Sequence, residues 1–120
     1  MSHVGFNAPG VIKVPWYATV FRGDEFAAAV SQLAPIALRY GARDYTVHRD
    51  RDDRYRITQY AYFDSLEAWE RYWNGPEFTD FRMVYSSFYQ VPLLPSWLEL
   101  VAHGQTKAEP IIRPEPIEQG

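Results

Sequence analysis

The chain contains no cysteine, which excludes disulfide bonds, thiolate metal ligands and a cysteine nucleophile. It also has no lysine- or arginine-rich run, and its formal net charge is -3. Because nucleic acids and anionic membranes attract basic surfaces, neither is expected as a partner. No apolar run approaches the ~18 residues of a membrane-spanning helix, and the N-terminus lacks the features of a secretion signal. We therefore expect a soluble, cytoplasmic protein.

Aromatic residues, in contrast, are abundant. They make up 17% of the 120 residues and include four Trp and nine Tyr. The core of one small domain rarely needs so many large rings, so the excess indicates an aromatic-lined cavity or an interface. A domain of this length also leaves much of its surface exposed, and association with a second copy would reduce that exposure.

Hydrophobic spacing predicts elements in the order β-α-β-β-α-β. The strands are predicted within residues 11–22, 43–63 (a hairpin of two) and 96–103, and the helices within 24–40 and 64–88. The order predicts one α+β domain over residues 11–103. An N-terminal arm (1–10) precedes it, and a Pro-rich extended tail (104–120) follows it.

Proline and glycine predict where these elements are interrupted. Pro15 cannot donate to a sheet, so a bulge or a strand start is expected near it. Pro35 should kink the first helix, and Gly41 should end it. The segment Asn74-Gly75-Pro76 should divide the second helix into two parts.

Alternate residues of the predicted hairpin separate into two sets. One set is apolar and should face the helices: Tyr45, Val47, Tyr55, Ile57, Ala61 and Phe63. The other is polar but rich in tyrosine: Asp44, Thr46, His48, Arg56, Thr58, Tyr60 and Tyr62. A freely solvated sheet usually carries lysine and glutamate, so we expect a second subunit to cover this face.

Three segments carry a resemblance to a known family. GARDYTVHR (41–49) leads through an acidic turn into the second hairpin strand, FDSLEAW (63–69) begins the second helix, and PEF (76–78) follows its break. With the element order, these segments make residues 11–103 similar to the dimeric α+β barrel superfamily. Within that superfamily, the chain resembles the small antibiotic-biosynthesis-monooxygenase-like proteins.

The resemblance implies a ferredoxin-like, four-stranded antiparallel sheet in the order 4-1-3-2, and a homodimer in which two sheets close a barrel. In many members a small hydrophobic ligand enters between sheet and helices, and some members oxidise polycyclic phenols without metal or flavin. The resemblance therefore implies no cofactor. A haem-degrading branch uses a histidine, and because none lies between His48 and His103, haem degradation is not expected.

His48 and His103 are the candidate catalytic bases, because histidine titrates near neutral pH. In the order 4-1-3-2 they fall on opposite sheet edges, about 14 Å apart, too far to share a metal within one subunit. No His-x-x-x-His pair is present, and no metal site is predicted. The alternative for each histidine is a hydrogen-bonded position in a wall or an interface.

Gln59 falls among the helix-facing residues, where an unpaired amide would cost ~1–3 kcal/mol. It either bonds to backbone or lines a polar spot in a ligand cavity. The predicted ligand-binding residues combine this amide with aromatic side chains: Trp16, Tyr17, Gln59, Tyr60, Trp69, Trp73 and Phe78. Rings at helical spacing more commonly form a core, which is the alternative for the same residues.

We predict that the protein binds a small, flat, hydrophobic or aromatic molecule between sheet and helices, as a cofactor-independent monooxygenase or a polyketide-cyclase-like enzyme. Such an enzyme orients a phenol or enol and supplies one base. The alternative is a non-catalytic accessory subunit that contacts other proteins through the barrel dimer and residues 105–120. In that tail Ile111 and Ile112 supply apolar anchors.

Overall fold

The computed structural model describes residues 8–106. Its elements are β1 (Gly10–Tyr17), α1 (Gly23–Leu33), a 3₁₀ helix (Ala34–Tyr40), β2 (Ala42–Arg49), β3 (Arg56–Phe63), α2 (Leu66–Trp73), α3 (Pro76–Val84) and β4 (Ser96–Leu98). All strand pairs are antiparallel, and the sheet order is β2-β3-β1-β4. This is the predicted order 4-1-3-2 counted from the other edge, so the predicted α+β fold is confirmed.

One face of the sheet packs against the helices and forms the core. Alternate strand residues enter this core: Ile12, Val14, Trp16, Ile57, Ala61 and Phe63. On β3, these are the residues that the hairpin pattern predicted to face the helices. The intervening strand residues remain partly or fully exposed. The sheet therefore has one filled face and one face that no helix covers.

Both predicted helix interruptions are present. α1 ends at Leu33 and the chain continues as a 3₁₀ helix through Pro35, which cannot donate an α-helical hydrogen bond. Gly41 follows it with φ of 101°, a conformation that glycine adopts without strain. The second helix is divided at Gly75, and Pro76 begins α3. No helix in the described part of the chain is both long and apolar enough to cross a membrane.

Three expectations about the strands are wrong. β1 ends at Tyr17, and β4 covers only Ser96–Leu98, because its partner β1 begins at Gly10 and leaves later residues with no strand to pair with. Pro15 pairs in register with β3 and causes no bulge. β4 begins at Ser96, opposite Lys13, so Pro15 has no β4 residue beside it that requires its missing N–H. The irregularity lies instead in β2, just after Ala42.

Candidate functional site

The open face is the side of the sheet that the helices leave uncovered. Its side chains come from all four strands: Val11, Lys13, Pro15 and Tyr17 on β1, Asp44, Thr46 and His48 on β2, Arg56, Thr58, Tyr60 and Tyr62 on β3, and Ser96 and Leu98 on β4. Residues directly opposite each other in the sheet form rows across it. One row is Asp44, Tyr62 and Val11, and the next is Thr46, Tyr60 and Lys13.

A cavity of about 450 Å³ lies on the open face. This volume is typical of small-molecule sites, which occupy ~300–1,000 Å³. Its wall combines two phenol rings, apolar groups and ionisable groups: Val11, Arg43, Asp44, Tyr60, Ala61, Tyr62, Leu100 and His103. Such a lining suits a flat, mainly apolar molecule with a few polar substituents.

Arg43 is held in the wall of this cavity from two sides. Its Nε donates to Asp64 Oδ1 at 2.6 Å, and its guanidinium lies 5.6 Å from the centre of the Tyr62 ring. The carboxylate balances the charge of the guanidinium, while the cation–π contact orients the phenol ring. Arg43 therefore supports the position of Tyr62.

A second cavity of about 340 Å³ adjoins the first, and Tyr60 lines both. Its other lining residues are His48, Arg49, Asp50, Arg56 and Thr58. His48 Nε2 lies 3.0 Å from Thr46 Oγ1, and its ring packs edge-on against Tyr60 with centroids 5.6 Å apart. The two histidines thus lie in separate cavities, His48 in the second and His103 in the first.

Tyr17 lies at one end of the open face and contacts the hairpin turn. Its hydroxyl donates to Asp53 Oδ2 at 2.7 Å, and the Arg56 guanidinium lies 5.5 Å from its ring centre. The hydrogen bond to the carboxylate stabilises the protonated phenol and raises the pKa of Tyr17. Tyr17 is therefore a neutral hydrogen-bond donor at physiological pH.

On the helix side, Gln59 belongs to a chain of hydrogen bonds that we call the buried relay. Trp16 Nε1 donates to Gln59 Oε1 at 3.0 Å, Gln59 Nε2 donates to the Tyr72 hydroxyl at 3.0 Å, and that hydroxyl donates to the Leu33 carbonyl at 2.9 Å. Gln59 is 0% exposed. Burial disfavours the charged phenolate and raises the pKa of Tyr72. Each donor group in the relay has at least one acceptor.

The predicted ligand-binding rings on the helix side pack against one another. Trp16, Trp69 and Phe78 are buried, and Trp73 is half-buried. Phe78 is central, with ring centroids 6.0 Å from Trp16, 6.1 Å from Trp69 and 4.9 Å from Trp73. The structure thus brings these four rings together with Gln59, while Tyr17 and Tyr60 lie on the open face.

Comparison with known proteins identifies the family. Residues 22–83, just over half of the chain, match the family model described as antibiotic biosynthesis monooxygenase. The chain belongs to the antibiotic biosynthesis monooxygenase family. The matched region extends from the start of α1 to the end of α3 and includes β2 and β3. No curated protein matches the chain in sequence.

Solved structures of similar proteins share the fold of this family member. PA3566 from Pseudomonas aeruginosa is 18% identical, with a TM-score of 0.70 over 81% of this chain and 98% of its own. Rv0793 from Mycobacterium tuberculosis is 12% identical, with a TM-score of 0.70 over 82% and 100%. A Nitrosomonas europaea protein, provisionally named an antibiotic biosynthesis monooxygenase, is 13% identical, with a TM-score of 0.71 over 84% and 96%.

Several residues that line the 450 Å³ cavity were not among the site residues predicted from the sequence: Val11, Arg43, Asp44, Tyr62 and Leu100. Strand alternation did place Asp44 and Tyr62 on the open face. The approach of Leu100 and His103 to β2 and β3 depends on the path of the chain after β4, and the strand-like alternation of that segment does not indicate this path. Among residues 8–106, no three His, Asp or Glu side chains cluster so as to hold a metal ion.

Proposed function

We propose that the protein is a homodimer that binds a small, flat, aromatic molecule on the open face and oxidises it as a cofactor-independent monooxygenase. The observation that carries this proposal is the 450 Å³ cavity with Tyr60, Tyr62 and His103 in its wall. Membership of the antibiotic biosynthesis monooxygenase family supports the reaction class.

The open face is a better location for the ligand than the space between sheet and helices. Trp16, Gln59 and Phe78 are 0% exposed and contact one another or their neighbours on the helix side. A ligand there would have to displace packed rings and break the buried relay, at a cost of several kcal/mol. On the open face the cavity already exists.

His103 is the base that we assign to the reaction. It lines the same cavity as the two tyrosines, whereas His48 lines the second cavity and contacts Thr46. A neutral imidazole would accept the hydroxyl proton of a bound phenol, which makes the ring electron-rich toward dioxygen. The overall reaction balances as phenol plus dioxygen to quinone plus water, with the substrate supplying all the electrons. Tyr60 and Tyr62 would hold the faces of the ring.

The test uses 1-naphthol as the probe, and the two histidines provide matched variants. Calorimetry measures binding, and an oxygen electrode measures dioxygen consumption. We expect His103→Ala to abolish dioxygen consumption while retaining binding, and His48→Ala to retain both. The Tyr62→Ala variant should weaken binding by about tenfold, because one aromatic contact contributes ~1–1.5 kcal/mol. Absence of both binding and dioxygen uptake in the wild type would contradict the proposal.

Homodimerisation has separate support from the composition of the open face. Two of its central rows carry tyrosine, Tyr60 and Tyr62, and tyrosine is enriched in protein interfaces compared with the rest of the protein surface. Sedimentation at micromolar concentration should give twice the chain mass of 14.0 kDa. A monodisperse monomer would contradict this part of the proposal.

A second candidate function is a non-catalytic subunit in an assembly. Large apolar side chains at the end of α3 and in the following loop favour it, because each is at least 66% exposed: Met83, Val84, Val91 and Leu94. The predicted anchors Ile111 and Ile112 lie outside the described residues. Deletion of residues 105–120 should reduce the assembly mass under this function, and it should leave dioxygen consumption unchanged under the first.

A further inference from the structure

Two charges of opposite sign on the open face have no ion-pair partner among residues 8–106. They are Lys13 on β1 and Asp44 on β2. Arg56, in contrast, lies 3.9 Å from Asp50 and 3.7 Å from Asp53. The unpaired charges are therefore one cation and one anion.

The immediate neighbours of both residues are uncharged in the sheet. Lys13 lies between Tyr60 on β3 and Ser96 on β4, and Asp44 lies opposite Tyr62 at the free edge of β2. Lys13 and Asp44 are two strands apart and lie in adjacent rows, which are two residues apart along a strand. This corresponds to about 12 Å between their Cα atoms at ~4.8 Å per strand and ~3.4 Å per residue. The geometry keeps them apart within one protomer.

We propose that Lys13 of each protomer forms an ion pair with Asp44 of its partner across the homodimer interface. This inference rests on the dimer of the proposed function. A two-fold interface is self-complementary, so one Lys-Asp combination is made twice. Facing sheets pack ~10 Å apart, a distance that an extended lysine and a short aspartate together bridge. Without such partners, closing the interface would bury both charges uncompensated.

The pairing determines where the two-fold axis runs between the two facing sheets. For each lysine to meet the partner's aspartate, the axis must lie parallel to the sheets and pass over the midpoint between Lys13 and Asp44. That midpoint lies over β3, between Tyr60 and Tyr62. The tyrosines then face their own copies at the centre of the interface, where aromatic residues contribute most to affinity.

The same pairing adds a residue to the ligand site. Asp44 lines the 450 Å³ cavity, so a partner lysine bound to Asp44 reaches the cavity wall. The cavity would then carry an ammonium group that one protomer alone cannot supply. The site is therefore incomplete without the second copy.

Charge exchange tests the pairing in the full chain. Sedimentation and native mass spectrometry measure dimerisation of Lys13→Glu and Asp44→Lys, separately and mixed. In a dimer formed by either variant alone, like charges face each other at both contacts, which should weaken the dimer about 100-fold or more. The mixture restores opposite charges at both contacts, so a heterodimer should form within about tenfold of the wild-type affinity. Circular dichroism checks that each variant is folded.

Two controls separate the pairing from general charge effects. Glu70→Lys on the exposed side of α2 makes the same change in net charge as Asp44→Lys and should not alter the dimer. The neutral variants Lys13→Gln and Asp44→Asn should weaken the dimer less than the reversals do.

The outcomes distinguish this inference from the proposed function. A monomeric wild type overturns both. A wild-type dimer whose two variants form no preferred heterodimer overturns the pairing and leaves the dimer standing. If Lys13→Glu abolishes 1-naphthol binding without changing the dimer, Lys13 serves a ligand instead and the pairing is overturned.

Discussion

Replacing Tyr72 with phenylalanine removes the central hydroxyl of the buried relay. That hydroxyl accepts from Gln59 Nε2 at 3.0 Å and donates to the Leu33 carbonyl at 2.9 Å. The ring itself stays, so the packing with Phe78, at a centroid distance of 5.0 Å, is retained. The substitution therefore isolates the hydrogen bonds from the hydrophobic contribution.

The expected loss follows from the groups left without partners. Gln59 is 0% exposed and Leu33 is 3% exposed, so water cannot replace the hydroxyl without rearrangement. Each buried polar group left unpaired costs ~1–3 kcal/mol. We expect Tyr72→Phe to lower the free energy of unfolding by about 2–4 kcal/mol.

A double-mutant cycle tests whether the relay acts as a unit. In a Gln59→Leu background the amide is already gone, so Tyr72→Phe leaves only the Leu33 carbonyl unpaired. The second substitution should then cost about 1–2 kcal/mol less than it does in the wild type. Tyr45→Phe is the matched control, because Tyr45 also packs against the core but its hydroxyl has no hydrogen bond among the described residues.

Equilibrium urea unfolding measures the stability of all four variants. The protein concentration is kept the same throughout, so that any dimer dissociation contributes equally to each measured free energy. The control should lie within ~0.5 kcal/mol of the wild type. If Tyr72→Phe also lies within that range, or if the two relay substitutions are additive, the relay does not stabilise the fold in the way argued.

Four further substitutions test other parts of the structure. Gly75→Ala places a methyl group 2.5 Å from the Tyr40 hydroxyl and 2.9 Å from a backbone carbonyl, so urea unfolding should show a loss of about 1–3 kcal/mol; an unchanged midpoint would contradict the close packing. Backbone N–H groups lower the pKa of Asp50 below 3.8, so its contribution to stability is complete above that value and disappears as pH falls through the lowered pKa. Between about pH 5 and pH 3, the melting temperature of Asp50→Asn should therefore drop less than that of the wild type. An identical drop in the two proteins would refute this. Trp73→Ala should lower the free energy of unfolding by ~2–3 kcal/mol, less than the ~3–5 kcal/mol expected for Phe78→Ala, because of the two only Phe78 is fully buried. Equal losses would contradict the half-buried position of Trp73.

The sequence was sufficient to predict both helix interruptions, because each depends on local chemistry, whereas the sheet order was predicted from the family resemblance. Pro35 and Pro76 lack an N–H, and Gly41 tolerates positive φ, so their effects hold whatever surrounds them. The extent of β4 could not be predicted in this way. Its strand-like alternation continues to His103, but pairing also requires a partner, and β1 begins at Gly10.

The candidate site was less predictable than the fold, because it depends on contacts distant in sequence. Alternation assigned Tyr60 and Tyr62 to the open face, but it could not indicate that the chain after β4 brings His103 to the same cavity. Gln59 had two interpretations, and spacing alone could not decide between them. Its partners Trp16 and Tyr72 lie 43 and 13 residues away in sequence, and the hydrogen bonds to them explain how the amide can be buried.

The filled helix side and the open sheet side together constrain where chemistry can occur. A large ligand could enter the core of packed rings only with a loss of stability, because buried aromatic contacts and the relay would both be lost. Among the remaining concave surfaces, the open face is the one that the proposed homodimer would cover. Ligand binding and dimerisation would therefore use the same face, and the cavity would be closed from water only in the dimer. That closure matters for the proposed oxidation, because an electron-rich phenolate reacts selectively only where solvent and stray proton donors are excluded.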